Sequence, residues 1–438
     1  MTETPGTLVI GGRAGALAGT RQGFLSQAWF MWPLALRLIT WLVLAQSYEM
    51  AVFEDASWQM VSGAGVYGRF ATWWAAVGDG YYAYPPLYAY MLWVSGRVAA
   101  FFGGHWWVHQ LLIKAWLVLA DAALMIFLYR VRPAAARAYW TLWFVPIVAI
   151  GQVQPDLWIG LSIVLAWYSA MQWRWVAVGF LIAFGAGLKL VPFVILPFLA
   201  IYLGQLKNWT AIGQMSAGVV AGAIVAWLPY VVLFGDWVAL TEVVRFHLAR
   251  PAAGLTFPSG LSMLINAWAG AATLLGYPTW SLGDSVLQFV GNAQPILTVV
   301  VLAALMIAAA RQRWPLRQVF CVPLLTFLLV NKVIHEHYLL QVLPLLLLSS
   351  IGYRNLGVAY AVYLLAAGSP LRFFPGEFGL PPTPDALLPM QFQPTIGAGI
   401  TIVVMIATAI AAMAFSWQLF RMLRSLTIEA CTGAGRPT

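Results

Sequence analysis

The feature that most limits what this chain can become is the way its charges are sorted between long apolar runs. Stretches of about 20 mostly apolar residues, the length a helix needs to cross a bilayer, recur from one end to the other. Charged residues are 8% of the chain and hydrophobic residues 62%. So few charges cannot cover a water-soluble protein of 438 residues. The expected fold class is all-α, a polytopic integral membrane protein. Cys321 lies in an apolar run and Cys431 in the tail, so no disulfide framework is implied. The first apolar run begins only near Gln27, so the first helix is expected to act as a signal anchor rather than a cleaved leader.

Arginine positions set the expected topology, because basic residues concentrate in cytoplasmic loops. A first span at Ala28–Tyr48 leaves Arg13 and Arg21 inside. The run Leu87–Phe102 poses a choice. If it crossed, Arg130, Arg132 and Arg137 would emerge outside. Its Pro-Pro start, its Arg97 and its Gly103-Gly104 end favour an interfacial helix that does not cross. The same test applied to Arg311, Arg313 and Arg317 makes Leu261–Leu275 interfacial or re-entrant. The remaining spans are expected at 107–129, 138–153, 156–171, 175–188, 191–206, 211–233, 285–310, 315–331, 338–352, 355–369 and 395–419. The expectation is thus about 12 transmembrane helices. Residues 1–27 and 420–438 form cytoplasmic tails around one transmembrane domain, 28–419, whose outer loops 49–106 and 234–284 carry interfacial helices.

With this assignment nearly every acid falls on the outer face, among them Glu49, Glu54, Asp55, Asp156, Asp236 and Glu336, and only Asp121 lies within a span. The net charge of +9 gathers on the cytoplasmic side and signals no nucleic acid. A transporter would place ionisable groups near the midplane in repeated halves, and neither feature is evident. Chemistry at the outer surface fits better. A transporter or flippase of lipid-linked sugars, and a polysaccharide polymerase or ligase, remain as alternatives.

Several short motifs carry that outer chemistry. Three of the scarce acids fall within Glu49-Met-Ala-Val-Phe-Glu54-Asp55, where the first span ends. A carboxylate there can act as a general base on a lipid-carried substrate, although solvated acids at a helix end are the plain alternative. Glu49 and Asp55 are six apart and face one groove only if a helix break separates them. Tyr84-Pro85-Pro86-Leu87 is a stiff turn that starts a helix or contacts substrate. Gln154 and Asp156, beside Pro155, can bond sugar hydroxyls or cap the helix that begins there. Lys189 is a lone outer lysine at a tight turn, suited to a lipid phosphate or to snorkelling. His335, Glu336 and His337 alternate in a way that matches no zinc spacing, so phosphate and hydroxyl contacts are preferred to a metal. Arg245 and Arg250 can likewise hold a phosphate. Lys114 and Asp121, seven apart, are expected to form a buried ion pair.

In their order along the chain, Glu49-Met-Ala-Val-Phe-Glu-Asp-Ala, Gly65-Val-Tyr67, Tyr84-Pro-Pro-Leu87, Lys189-Leu-Val-Pro192 and His335-Glu-His-Tyr338 resemble GT-C membrane glycosyltransferases. The pattern is most similar to the mannosyltransferases that use polyprenyl-phosphate-mannose. These include the first mannosyltransferase of glycosylphosphatidylinositol assembly and bacterial α-mannosyltransferases. The resemblance implies a GT-C-like fold in a plasma membrane of bacterial type. It also implies inverting transfer of a hexose from a polyprenyl-phosphate donor to a lipid or glycan acceptor. It matches Glu49 to the family's essential Asp, Lys189 to its Lys-x-x-Pro turn, and His335 and Glu336 to its His-Glu motif. Ser47 fills the earlier position of an Asp-x-Asp pair, which counts against a divalent metal while leaving one open. No cofactor is otherwise called for. Glu49 and Asp55 both remain candidates for the base.

Overall fold

The computed structural model describes residues 28–45, 47–67, 84–237, 282–331 and 336–348, most of 406–424, and scattered positions between them. Among these residues the chain is mostly helical. The regular exception is a two-residue parallel pairing of Ala253–Gly254 with Val333–Ile334. Three helices are long and apolar enough to cross a membrane: Trp106–Val131, Trp209–Phe234 and Asn292–Gln312. Each follows its sequence signal. Asn208 caps the second by accepting from Ala211 N at 3.0 Å, and Gly235, at φ 63°, ends it in the left-handed conformation that glycine tolerates. Shorter apolar helices run over Asp156–Met171, Trp175–Ala186, Val191–Gln205 and Leu316–Val330.

The first two expected elements are divided differently. The first helix stops at Leu42, not at Tyr48, and a second, Ser47–Val61, carries Glu49, Glu54 and Asp55 together. The Leu44 carbonyl at the break accepts from Lys114 Nζ at 3.2 Å. That contact overturns the expected Lys114–Asp121 pair. Asp121 is held instead by Arg37 Nε at 2.5 Å and by Tyr139 Oη at 2.5 Å. Arg37 Nη1 also donates to the Trp140 carbonyl at 3.1 Å, and the guanidinium lies 3.9 Å over the Trp140 ring. The physical reason is saturation. A planar guanidinium satisfies the carboxylate and a carbonyl together, whereas a lysine two turns away on the same helix supplies one point charge.

The expected span at 138–153 is a bent pair, Pro133–Thr141 and Phe144–Gly151, turning by 67°. The run expected as an interfacial helix forms Pro86–Phe101, with Pro86 in the first turn, and packs on Ser47–Val61. Gly96 permits that contact, since a Cβ there would meet Ser57 Oγ at 2.4 Å. Nearly all of the expected element Leu261–Leu275 and all of 355–369 lie outside the described residues, as do Met1–Gln27 and much of 395–419.

Helices Trp175–Ala186 and Trp209–Phe234 lie side by side and run parallel. A Cβ on Gly218 would strike the Val176 carbonyl at 2.1 Å, and one on Gly222 the Phe180 carbonyl at 2.6 Å. Such close approach of small residues is how helices associate where lipid gives no hydrophobic drive.

Candidate active site

Helices Asp156–Met171 and Trp175–Ala186 form a hairpin. Its open end brings the start of the first helix beside Lys189, just past the end of the second. Lys189 Nζ lies 3.3 Å from Asp156 Oδ1, and both side chains are buried. The short 3-10 segment Glu336–Gln341 closes over the same point, where Gln341 Nε2 donates to Asp156 Oδ1 and His337 Nε2 lies 4.0 Å from Oδ2. Gly160 makes this closure possible, because a Cβ there would meet the Leu340 carbonyl at 2.5 Å. The Lys189 ammonium sits 3.6 Å from the Tyr338 ring centroid and 5.8 Å from that of Tyr84.

The turn that delivers Asp156 is strained. Val153 is a buried β-branched residue at φ 58°. That conformation costs about 1–3 kcal/mol and clusters at functional positions. It is held by Gln154 N donating to the Ala149 carbonyl at 2.9 Å, over one π-helical turn at Ile147–Gly151. π-Turns also recur at functional sites. The result points Gln154 at Tyr84, whose hydroxyl donates to Gln154 Oε1 at 2.6 Å, while Tyr88 donates to the Val153 carbonyl at 3.2 Å.

Glu49 faces this group from the helix Ser47–Val61. Burial first, and then the charges of Glu49 and Asp156, hold the Tyr84 and Tyr88 phenols well above their usual pKa. Both tyrosines are therefore neutral donors across the physiological range. Phe53, one turn beyond Glu49, packs edge-on to Tyr84 and Tyr88 at 5.4 and 5.0 Å.

The structure thus brings together Glu49, Tyr84, Gln154, Asp156, Lys189 and His337. Asp55 does not join them. At about 100° per residue, six residues on one continuous helix set it about 120° around from Glu49. It accepts instead from Gln59 at 2.7 Å, and partial burial raises its pKa against that bond. Lys189 does not snorkel. His335, Arg245 and Arg250 lie outside the described residues, as does the side chain of Glu336. The pairing of Ala253 with Val333 does bring together the backbone three residues after Arg250 and two before His335.

The sequence reading missed two contributors. Gln341 and Tyr338 follow the His-Glu-His stretch directly, so their neighbourhood was the available signal. Glu54, to which the sequence assigns no role at the site, lies outside this group, and burial pushes its carboxyl up to about 7 against a hydrogen bond from Gln110. Among the described residues no group of three His, Cys, Asp or Glu side chains gathers as a metal set.

The two carboxylates at the centre differ in exposure. Asp156 is 0% exposed and engaged by Lys189 and Gln341. Glu49 is only half-buried. Asp156 is placed to anchor the Lys189 ammonium. Comparison with protein-family models and with curated proteins finds no match for the chain.

Proposed function

We propose that this chain is a multi-pass membrane glycosyltransferase of the GT-C type. It transfers a hexose, with mannose the first candidate, from a polyprenyl-phosphate donor to a lipid or glycan acceptor at the outer face, with inversion. The observation that carries the reading is the convergence of Glu49, Tyr84, Gln154, Asp156, Lys189 and His337 from separate segments at one end of a helix hairpin.

Glu49 is the general base. It takes the proton from the acceptor hydroxyl as that oxygen bonds to the sugar's anomeric carbon. The bond from that carbon to the phosphate oxygen breaks, and the lipid phosphate leaves with the electron pair. Lys189 and His337, joined by His335, Arg245 and Arg250 as the resemblance and the sequence suggest, stabilise its charge. Asp156 orients Lys189 in a buried place. Gln154 and Tyr84 bond sugar hydroxyls.

Incubating the purified full chain with radiolabelled polyprenyl-phosphate-mannose and a membrane lipid extract tests the reading. Label should move to an acceptor lipid or glycan, and the move should depend on Glu49. Label that remains on the donor, with both that donor and a glucose-bearing counterpart, would overturn the proposal.

A further inference from the structure

The hairpin's closed end, opposite the candidate active site, carries a second feature of a different kind. About 24 Å away by helix rise, a groove of about 590 Å³ is lined by Trp173, Arg174, Trp175, Phe180, Leu181 and Gln214. Its lower wall is apolar, with Val176 51% exposed beside it. Its rim is cationic.

Four properties of that rim point to one chemistry. Helix Trp175–Ala186 begins here and presents the positive end of its dipole. The Arg174 side chain makes no capping bond to the helix it precedes, so the amides of the first turn have no intrahelical acceptor. Arg174 is exposed, and among the described residues no carboxylate pairs with it. Trp175 is 3% exposed and lines the groove, yet its indole N–H has no acceptor. An orphaned buried donor of this kind calls for an explanation.

We infer that this groove binds an anionic membrane phospholipid. The headgroup phosphate accepts from Arg174, from the first-turn amides and from the Trp175 indole, and an acyl chain lies along Val176, Phe180 and Leu181. Charge complementarity and the apolar wall below it select a lipid over a free anion. Trp173, 43% exposed at φ 59°, stands beside it where tryptophan marks the bilayer interface. The site does not depend on the glycosyltransferase reading.

Native mass spectrometry of the full chain, delipidated in detergent and titrated with phosphatidylglycerol or phosphatidylcholine, tests it. Wild type should retain one phosphatidylglycerol in preference to phosphatidylcholine. Arg174→Gln, at an exposed position, and Trp175→Phe should each weaken that retention roughly tenfold, the size of one charge-assisted bond. Equal retention by wild type and Arg174→Gln, or equal retention of the two lipids, would overturn the inference. Displacement of the lipid by an equal concentration of inorganic phosphate would also overturn it, since the site would then recognise the anion alone.

Discussion

Neutralising Asp156 while keeping its shape is the sharpest test of the central cluster. Asp156→Asn leaves an oxygen for Gln341 but removes the charge facing Lys189. At 3.3 Å the pair attracts by about 5 kcal/mol for an effective dielectric constant of about 20. Lys189, buried in the pair, keeps the Tyr338 ring at 3.6 Å, a contact of about 1–2 kcal/mol, and the more distant Tyr84 ring at 5.8 Å. Breaking one side of a buried pair typically costs about 3–5 kcal/mol, because the other charge is left unpaired. Asp156→Asn is expected in that range. Lys189→Met is expected at its lower end, since Gln341 still donates to the carboxylate. The double variant should recover most of the loss, with a coupling of at least about 2 kcal/mol, because neighbours in one network are not additive. Denaturant unfolding in mixed micelles at one pH measures all four proteins. A double variant that loses the sum of the two single losses would show that the carboxylate and the ammonium do not depend on each other.

Three further outcomes are expected. Glu49→Gln should lose about 10²–10⁴-fold in transfer rate while still binding donor, the usual size of a general-base contribution, whereas Asp55→Asn should stay within a few-fold; single-turnover assays separate the two. Burial raises the Glu54 carboxyl from 4.5 to about 7, so its contribution is fully present below pH 4.5 and is lost as pH rises through 7. Glu54→Gln should therefore flatten stability over that window and add about 3 kcal/mol at pH 8, with little effect on transfer; unfolding measured at pH 4.5 and pH 8 checks this. Gly160→Ala must push the Leu340 backbone away, at a cost of about 1–3 kcal/mol. It should weaken donor binding more than it slows turnover, as read by KM against kcat.

Much of the helical framework was legible because apolar runs, prolines and glycines punctuate it directly. Asp156–Met171, Trp175–Ala186 and Trp209–Phe234 lie within a few residues of where hydropathy puts them. Gln154, Asp156 and Lys189 stood out because polar side chains at tight turns between apolar helices are rare. What was not legible depended on tertiary packing. Seven-residue spacing put Lys114 and Asp121 on one face, but Lys114 is taken by the Leu44 carbonyl just past the first helix, and Asp121 by Arg37, 84 residues away. The bend between Thr141 and Phe144 carries no proline of its own, and the stop at Leu42 has neither proline nor glycine. The burial of Glu54 was not legible, because nothing in a sequence reveals that Gln110 will cover it.

The Arg37–Asp121 pair also has a consequence in time. A chain made at about 5–20 residues per second exposes Asp121 only about 4–17 s after Arg37, given the 84 residues between them. In a bilayer an unpaired arginine near the middle of a helix costs about 2.5–3.5 kcal/mol by insertion scales. The first helix therefore begins its life as the least comfortable one, with its charge unanswered. It is settled only when Trp106–Val131 arrives with the carboxylate and Tyr139 and Trp140 follow to close over the guanidinium. The order of synthesis makes this junction an early long-range checkpoint of assembly, completed before Asp156 or Lys189 has been made.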